Sequence, residues 1–304
     1  MMQSSERTLL RGKKFNSYSN KLGSRNWLLI LAVGVVIFSG EMVTAGGISV
    51  DAGLTPPQDR WIIRAQMRYM EMGNDPTDMN RSMRTYAFPL VLAYGIHSNF
   101  TLMVRQAVMH MEMDSDISSS EETGFGDLFV LGKYKIYRKN TKTHTFGLAP
   151  TLGFEFPTGE EPFTSDTWDI YAGCFASWRR GPSAMDFNAA YKWNAFIPHE
   201  DDINPGDEIR VDTAFAYQFG LGGRAKASLA PVLEFSYLSV LPNRIDGDDV
   251  PDTGGEYFYI SPGIKLSTSS LIIEGLVQFP VWKQLKGDQL ELEKSILIGV
   301  RIMF

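Results

Sequence analysis

Residues 291–304 read ELEKSILIGVRIMF, and the period of that stretch decides the fold. Leu292, Ile296, Ile298, Val300, Ile302 and Phe304 share one face of an extended chain, while Glu293, Ser295, Gly299 and Arg301 share the other. Side chains of a strand alternate faces with a period of two. The sequence then stops on an aromatic residue. An alternating apolar strand that ends in phenylalanine has the form of the sorting signal read by outer-membrane barrel assembly machinery, and Phe304 is assigned that part.

Working back from the end, the same alternation recurs. Trp61, Ile63, Ala65, Met67 and Tyr69 oppose Arg64, Gln66 and Arg68, and Tyr86, Phe88, Leu90, Leu92, Tyr94 and Ile96 follow. Further runs start at Phe146, Phe187, Ile209, Leu229 and Phe258. None has helical spacing. Segments near 100–111, 127–137, 168–178 and 271–281 are less regular. In the first of these, Arg105 lies in one phase and Gln106 and His110 in the other, so its facing stays open.

The count is twelve, an even number that returns both ends of a barrel to one side. Long connections are expected near 73–84, 113–124, 157–166, 197–207 and 242–255, and short turns near 97–99, 138–144, 179–184, 220–225 and 267–269. Charge sorts with length. Acidic residues such as Glu121, Glu160, Asp201 and Asp248 fall in the long loops, and Arg138, Lys139, Lys142, Arg179, Arg180 and Arg224 in the short turns. The long loops are therefore assigned to the extracellular side. The expected fold is all-β: a transmembrane antiparallel up-and-down β-barrel of about 12 strands over 61–304, preceded by a cleavable signal peptide. A soluble two-sheet sandwich shows the same alternation, but it does not predict the loop rule or tyrosine and tryptophan near strand ends.

The signal peptide is read over 1–45. Arg7, Arg11, Lys13, Lys14, Lys21 and Arg25 precede an apolar run at 27–38, about a dozen residues where a membrane-spanning helix needs roughly 20. Small residues Val43 and Ala45 place cleavage between Ala45 and Gly46. Residues 46–60 are then expected as a periplasmic N-terminal segment. Removing 1–45 takes six basic and two acidic side chains from totals of 29 and 35, leaving 23 and 33, a net charge near −10. That sign disfavours nucleic acid as a partner; outer-membrane lipids, the assembly machinery and a small-molecule solute are the expected ones. Cys174 is the lone cysteine, so no internal disulfide framework is available.

Polar residues on the inward phase are the candidate solute path: Arg64, Arg68, Lys133, Asp186, Asn188, Lys192, Arg210, Asp212, Glu234 and Glu274, with Lys135, Lys265 and Arg301 beside them. Charges of both signs facing one another across a narrow barrel also pair as ladders that satisfy buried charge. Clustered methionines, among them Met67, Met70, Met103 and Met109, suit a greasy lining or lipid contact. Asp246, Asp248, Asp249 and Asp252 are spaced like part of a calcium loop but lack its distant glutamate. His199 beside Glu200 and Asp201 is the one cluster suggestive of hydrolysis, and no nucleophile, base and orienting group is assembled around it. No catalytic residue, metal or cofactor is expected.

Two motifs go beyond barrel grammar: Gly124-Phe125-Gly126-Asp127-Leu128 opening the fourth strand and Phe156-Pro157-Thr158-Gly159 leaving the fifth. With about 30 residues between them, the pair resembles the transporter-like outer-membrane family named for the meta-pathway of phenol degradation, a likeness that extends over roughly 57–304. The resemblance implies a channel for small hydrophobic or aromatic solutes. It transfers no binding residues. The alternatives are a closed structural or surface-interaction barrel and an outer-membrane hydrolase.

Overall fold

The computed structural model describes residues 46–197, 203–222 and 227–304. Twelve antiparallel strands follow one another around a closed wall. They are β1 (Trp61–Gly73), β2 (Ser82–His97), β3 (Phe100–Asp114), β4 (in three pieces, Ser119–Phe125, Leu128–Tyr134 and Tyr137–Asn140) and β5 (His144–Phe156). Then come β6 (Trp168–Arg180), β7 (Ser183–Ile197), β8 (Glu208–Tyr217, continued by Phe219–Gly222) and β9 (Ala227–Val240). β10 (Gly255–Ser267), β11 (Leu271–Leu285) and β12 (Glu291–Met303) complete the wall. The first and last strands pair from Ile62 opposite Met303 to Gly73 opposite Glu291. Trp61 and Phe304 exchange backbone hydrogen bonds of 2.9 and 3.1 Å. Closure leaves no open edge, so the backbone is satisfied without water, which is the condition for a sheet in hydrocarbon.

The alternation sorts by polarity in the sense opposite to a soluble protein. Leu152, Ile264 and Ile298 are all more than half exposed on the outer face, while Asp186 and Glu234 have no exposed surface inside. An apolar exterior around a charged interior excludes the sandwich and requires lipid around the wall. Aromatic pairs mark both rims, Trp61 with Tyr94 at 4.5 Å on one and Phe156 with Trp168 at 5.1 Å on the other. The facing of β3 is now settled: Thr101 is buried inside and Arg105 meets the inward Glu155, whereas Val108 is exposed outside.

Three sequence expectations need correction. The long acidic loop at 113–124 is a hairpin, because β3 and the first piece of β4 continue past the membrane level and turn at 115–118. Arg179 is not a turn residue: the alternation of β6 sends it inside to Asp186, while Arg180, one position on, is exposed. Residues 46–60 do not hang free in the periplasm. Their first part, 46–55, lies within the barrel, with Ile48 and Val50 buried; Ile48 belongs to one buried apolar cluster with Ala184, Ala216, Ala230, Val232, Leu276 and Leu297 of the wall.

The two family-like motifs meet at a bulge. Val108 faces Phe125 and Arg105 faces Phe129, so two residues of β3 oppose three of β4 at 126–128. Asp127, standing in the bulge, accepts the amides of Thr158 at 3.1 Å, Gly159 at 2.9 Å and Ser165 at 2.9 Å, and the Ser165 hydroxyl at 3.2 Å. Gly159 lies so close to Phe125 and Asp127 that a side chain there has no room.

Candidate functional site

The lumen has two storeys, and the lower one is built around the N-terminal segment. Asp186 accepts the amide of Gly47 at 2.8 Å while Arg179 donates to both its oxygens at 2.8 and 3.0 Å. Glu234 accepts from the amides of Ile48 and Ser49 and from the Ser49 hydroxyl. Cations take the carbonyls. Arg64 donates to the carbonyl of Ile48, Lys265 to those of Gly46 and Gly47, and Lys133 to those of Ala52 and Leu54 at 2.8 and 3.0 Å. Lys135 binds the Thr55 hydroxyl and the Ser98 carbonyl. Asn188, with its amide oriented to satisfy both partners, donates to the Asp51 carbonyl and accepts the Asp51 amide.

This arrangement explains how so many charges are tolerated inside. A segment with no regular structure exposes every amide and carbonyl, and buried backbone groups must find partners. Acids of the wall supply acceptors and lysines and arginines supply donors. Glu274 completes the lower storey as a shared counterion, 3.4 Å from Arg64, 3.7 Å from Lys265 and 3.2 Å from Arg301. A cavity of about 720 Å³ remains beside the segment, toward the short-turn end. Arg60, Arg138 and Ser269 line its polar part and Met103, Ile272 and Met303 its apolar part.

The upper storey, toward the long loops, is less filled. Lys192 is shared between Glu155 at 2.7 Å and Asp169 at 3.0 Å. Arg210 binds Asp212 through Nε at 3.1 Å. Arg105 lies 4.7 Å over the ring of Phe129, which meets Tyr171 edge-on at 5.7 Å. Tyr257 and Tyr259 stack at 5.4 Å. Arg68 makes no hydrogen bond or ion pair among the described residues.

All ten expected path residues project inward, but they do not form one group. Arg64, Lys133, Asp186, Asn188, Glu234 and Glu274 grip the segment or its grips, Lys192, Arg210 and Asp212 pair above it, and Arg68 stands alone. Sequence reasoning missed Arg105, Arg179, Tyr171 and Tyr259 as interior residues. Strict phase-keeping from Thr101, Asp169 and Lys265 finds all four, since the register of β10 against β9 is unbroken from Gly255 to Ser267. Phe304 closes the wall against Trp61. Gly46 begins the described chain, and Ala45, His199, Glu200, Asp201 and Arg224 lie outside the described residues. His110 meets Thr123 at 2.7 Å and Glu112 at 3.5 Å on the long-loop rim. Asp252 accepts the amide of Asp288, which ties two loops together.

Outside the membrane level, Asp75 caps the first long loop. Hydrogen bonds from the Arg81 guanidinium, with others from the Thr77 hydroxyl and the backbone, hold its carboxyl well below the usual carboxylate range.

Comparison with known proteins agrees with this architecture. The profile of the family described as "Putative MetA-pathway of phenol degradation" matches residues 79–285. The COG4313 outer membrane channel from Pseudomonas putida F1 superposes with a TM-score of 0.65 at 15% identity, covering 84% of this chain and 100% of that one. The β-domain of the Bordetella autotransporter BrkA gives a TM-score of 0.47 at 10% identity, covering 81% and 100%. The first likeness establishes an outer-membrane barrel fold; the second is too loose to add to it. No curated protein matches the sequence.

Proposed function

We propose that this chain, which belongs to the phenol meta-pathway family, is a channel of the bacterial outer membrane that passes small hydrophobic or aromatic solutes and performs no chemistry on them. The observation that carries the reading is the way the lumen is closed. Its lower storey is stopped by a segment joined to the wall only through β1 and held by polar contacts, with a cavity of about 720 Å³ left beside it. A barrel with a purely structural role has no need of a separable stopper, since small barrels fill their interiors with side chains from their own walls.

In this reading the long loops face outward and the short turns face the periplasm, where residues 1–45 are removed during export. A solute enters between the long loops, rests among the rings of Phe129, Tyr171 and Tyr259, and passes the segment toward the lower cavity and the periplasm. No energy input is required beyond the concentration gradient. The family description supports an aromatic solute class by its reference to phenol.

Single-channel conductance of the mature protein in a planar bilayer tests this, with and without phenol or toluene and with residues 46–55 deleted. Discrete openings that enlarge on deletion and respond to the aromatic solutes are the expected result. A barrel that stays silent in both forms, and takes up no aromatic solute in liposomes, removes the channel reading in favour of a closed structural barrel.

A further inference from the structure

The lower storey accounts for nearly every charge it contains, and the upper one does not. Three arginines reach into the upper lumen from separate parts of the wall: Arg68 from β1, Arg105 from β3 and Arg210 from β8. Their carboxylates are few and already engaged. Asp212 occupies only Nε of Arg210, leaving both terminal amino groups of that guanidinium without a hydrogen bond among the described residues. Glu155 sits 2.7 Å from Lys192 but 3.6 Å from Arg105, beyond hydrogen-bonding distance. Glu234 is spent on the backbone of Ile48 and Ser49 and on the Ser49 hydroxyl.

Arg68 is the clearest case. No carboxylate lies within 4 Å of it among the described residues, and the charges around it are Arg210, Arg64 and Arg105 with Glu234. A guanidinium held among like charges inside a wall is costly unless an anion joins it. Around these groups stand apolar rings. Arg105 lies over Phe129, Phe129 meets Tyr171, and Tyr259, stacked on Tyr257, faces inward opposite Ser236, which in turn is opposite Asp212, the partner of Arg210. The hydroxyls of Tyr171 and Tyr259 make no hydrogen bond among the described residues.

We infer that the upper lumen is a binding site for an amphipathic carboxylate, an acid group on an aromatic or short alkyl body, with Arg68 and Arg210 taking the carboxylate and Phe129, Tyr171 and Tyr259 the body. The planar fork of arginine matches a carboxylate in two parallel hydrogen bonds, and the rings supply the apolar contact that fixes the rest of the solute. The inference deepens the channel reading by naming a solute class. A neutral phenol would use the rings alone and leave Arg68 uncompensated.

The test compares 3-phenylpropionate with its neutral counterpart 3-phenylpropan-1-ol. Binding to the full mature protein, extracted from outer membranes in detergent, is measured by calorimetry, and block of ion conductance is measured in bilayers. The acid is expected to bind at least about tenfold more tightly than the alcohol. Arg68→Gln is expected to abolish that preference while leaving the affinity for the alcohol in place, and Arg68→Lys to retain part of it. Heat-modifiable gel mobility confirms that each variant is folded. If Arg68→Gln does not fold, Arg68→Lys and Arg210→Gln carry the same comparison. Equal affinities for acid and alcohol, or a preference indifferent to both arginines, overturns the site. Arginine-dependent binding without conductance keeps the site and removes the channel reading, whereas conductance without a preference for the acid does the reverse.

Discussion

Glu234 meets Ser49 across 185 positions of sequence, and its carboxylate accepts both the amide and the hydroxyl of that serine. The contact joins β9 to the segment that stops the lumen. Replacing Glu234 by alanine leaves the amides of Ile48 and Ser49 without an acceptor, at a cost of about 1–3 kcal/mol for each buried group. The expected outcome is a barrel that remains folded but whose segment leaves its seat. Its conductance rises toward that of the deletion lacking 46–55, and protease cuts within 46–60. Glu234→Gln, which keeps one acceptor oxygen, is expected to fall between.

Glu274 has a different part: among the described residues it is the one carboxylate within 4 Å of Arg64, Lys265 and Arg301 together. Removing it leaves Lys265 and Arg301 without a carboxylate partner among the described residues and Arg64 with Asp51 alone, at 3.4 Å, and breaking a buried pair costs about 3–5 kcal/mol. Glu274→Ala is therefore expected to lower the urea midpoint for unfolding in detergent more than Glu234→Ala does. Adding Lys265→Met should recover part of the loss, because it withdraws one uncompensated charge. An unchanged midpoint in Glu274→Ala would show that the three cations are solvated rather than paired.

Asp127 couples the bulge in β4 to the loop after β5 through four hydrogen bonds. Asp127→Ala is expected to open 157–167 to limited proteolysis and to speed hydrogen exchange at the amides of Thr158, Gly159 and Ser165. The strands of the wall, which depend on other bonds, should keep their protection. Uniform loss of protection through β4 and β5 would mean that the bulge itself needs the carboxylate.

The Asp75–Arg81 pair predicts a pH dependence confined to the first long loop. Arg81 holds the Asp75 carboxyl low in the folded loop, so the loop binds fewer protons than the unfolded chain. Its contribution is complete above the unperturbed aspartate value of about 3.9 and is lost as pH falls through the lower folded value. Carbon-detected titration should find Asp75 still ionised at about pH 3, where exposed aspartates are mostly protonated. Asp75→Asn should remove that difference and loosen residues 74–81.

The wall was readable because each strand declares itself through side chains that alternate every second position. Leu292 to Phe304 did so without ambiguity, and so did Tyr86 to Ile96. β3 resisted because two polar residues stand on its outer phase: Gln106, opposite Leu90, donates to the carbonyl of Gly126 at the bulge, and His110, opposite Tyr86 toward the long-loop rim, meets Thr123. Arg179 was mistaken for a turn residue because it adjoins Arg180, and adjacent residues of a strand face opposite ways. The seated segment left almost no sign. Gly46, Gly47, Ile48, Ser49 and Val50 carry no charge and read as the tail of a leader. What binds them is their backbone, which every sequence has in common. Even so, the acids and lysines that hold them were picked out as inward residues, and only their purpose lay hidden.

The grip on residues 46–49 comes from Asp186, Glu234 and Lys265, on β7, β9 and β10, with Arg64 of β1 fastened to the same place through Glu274 of β11. The first described residues of the chain are thus secured by some of the last. A barrel that zipped shut with the segment outside would enclose acids and cations aimed at empty space, and one lacking its final strands would have nothing with which to hold the segment. Closing the wall around residues 46–55 is what answers these buried charges, so completion of the barrel and seating of the segment are energetically coupled.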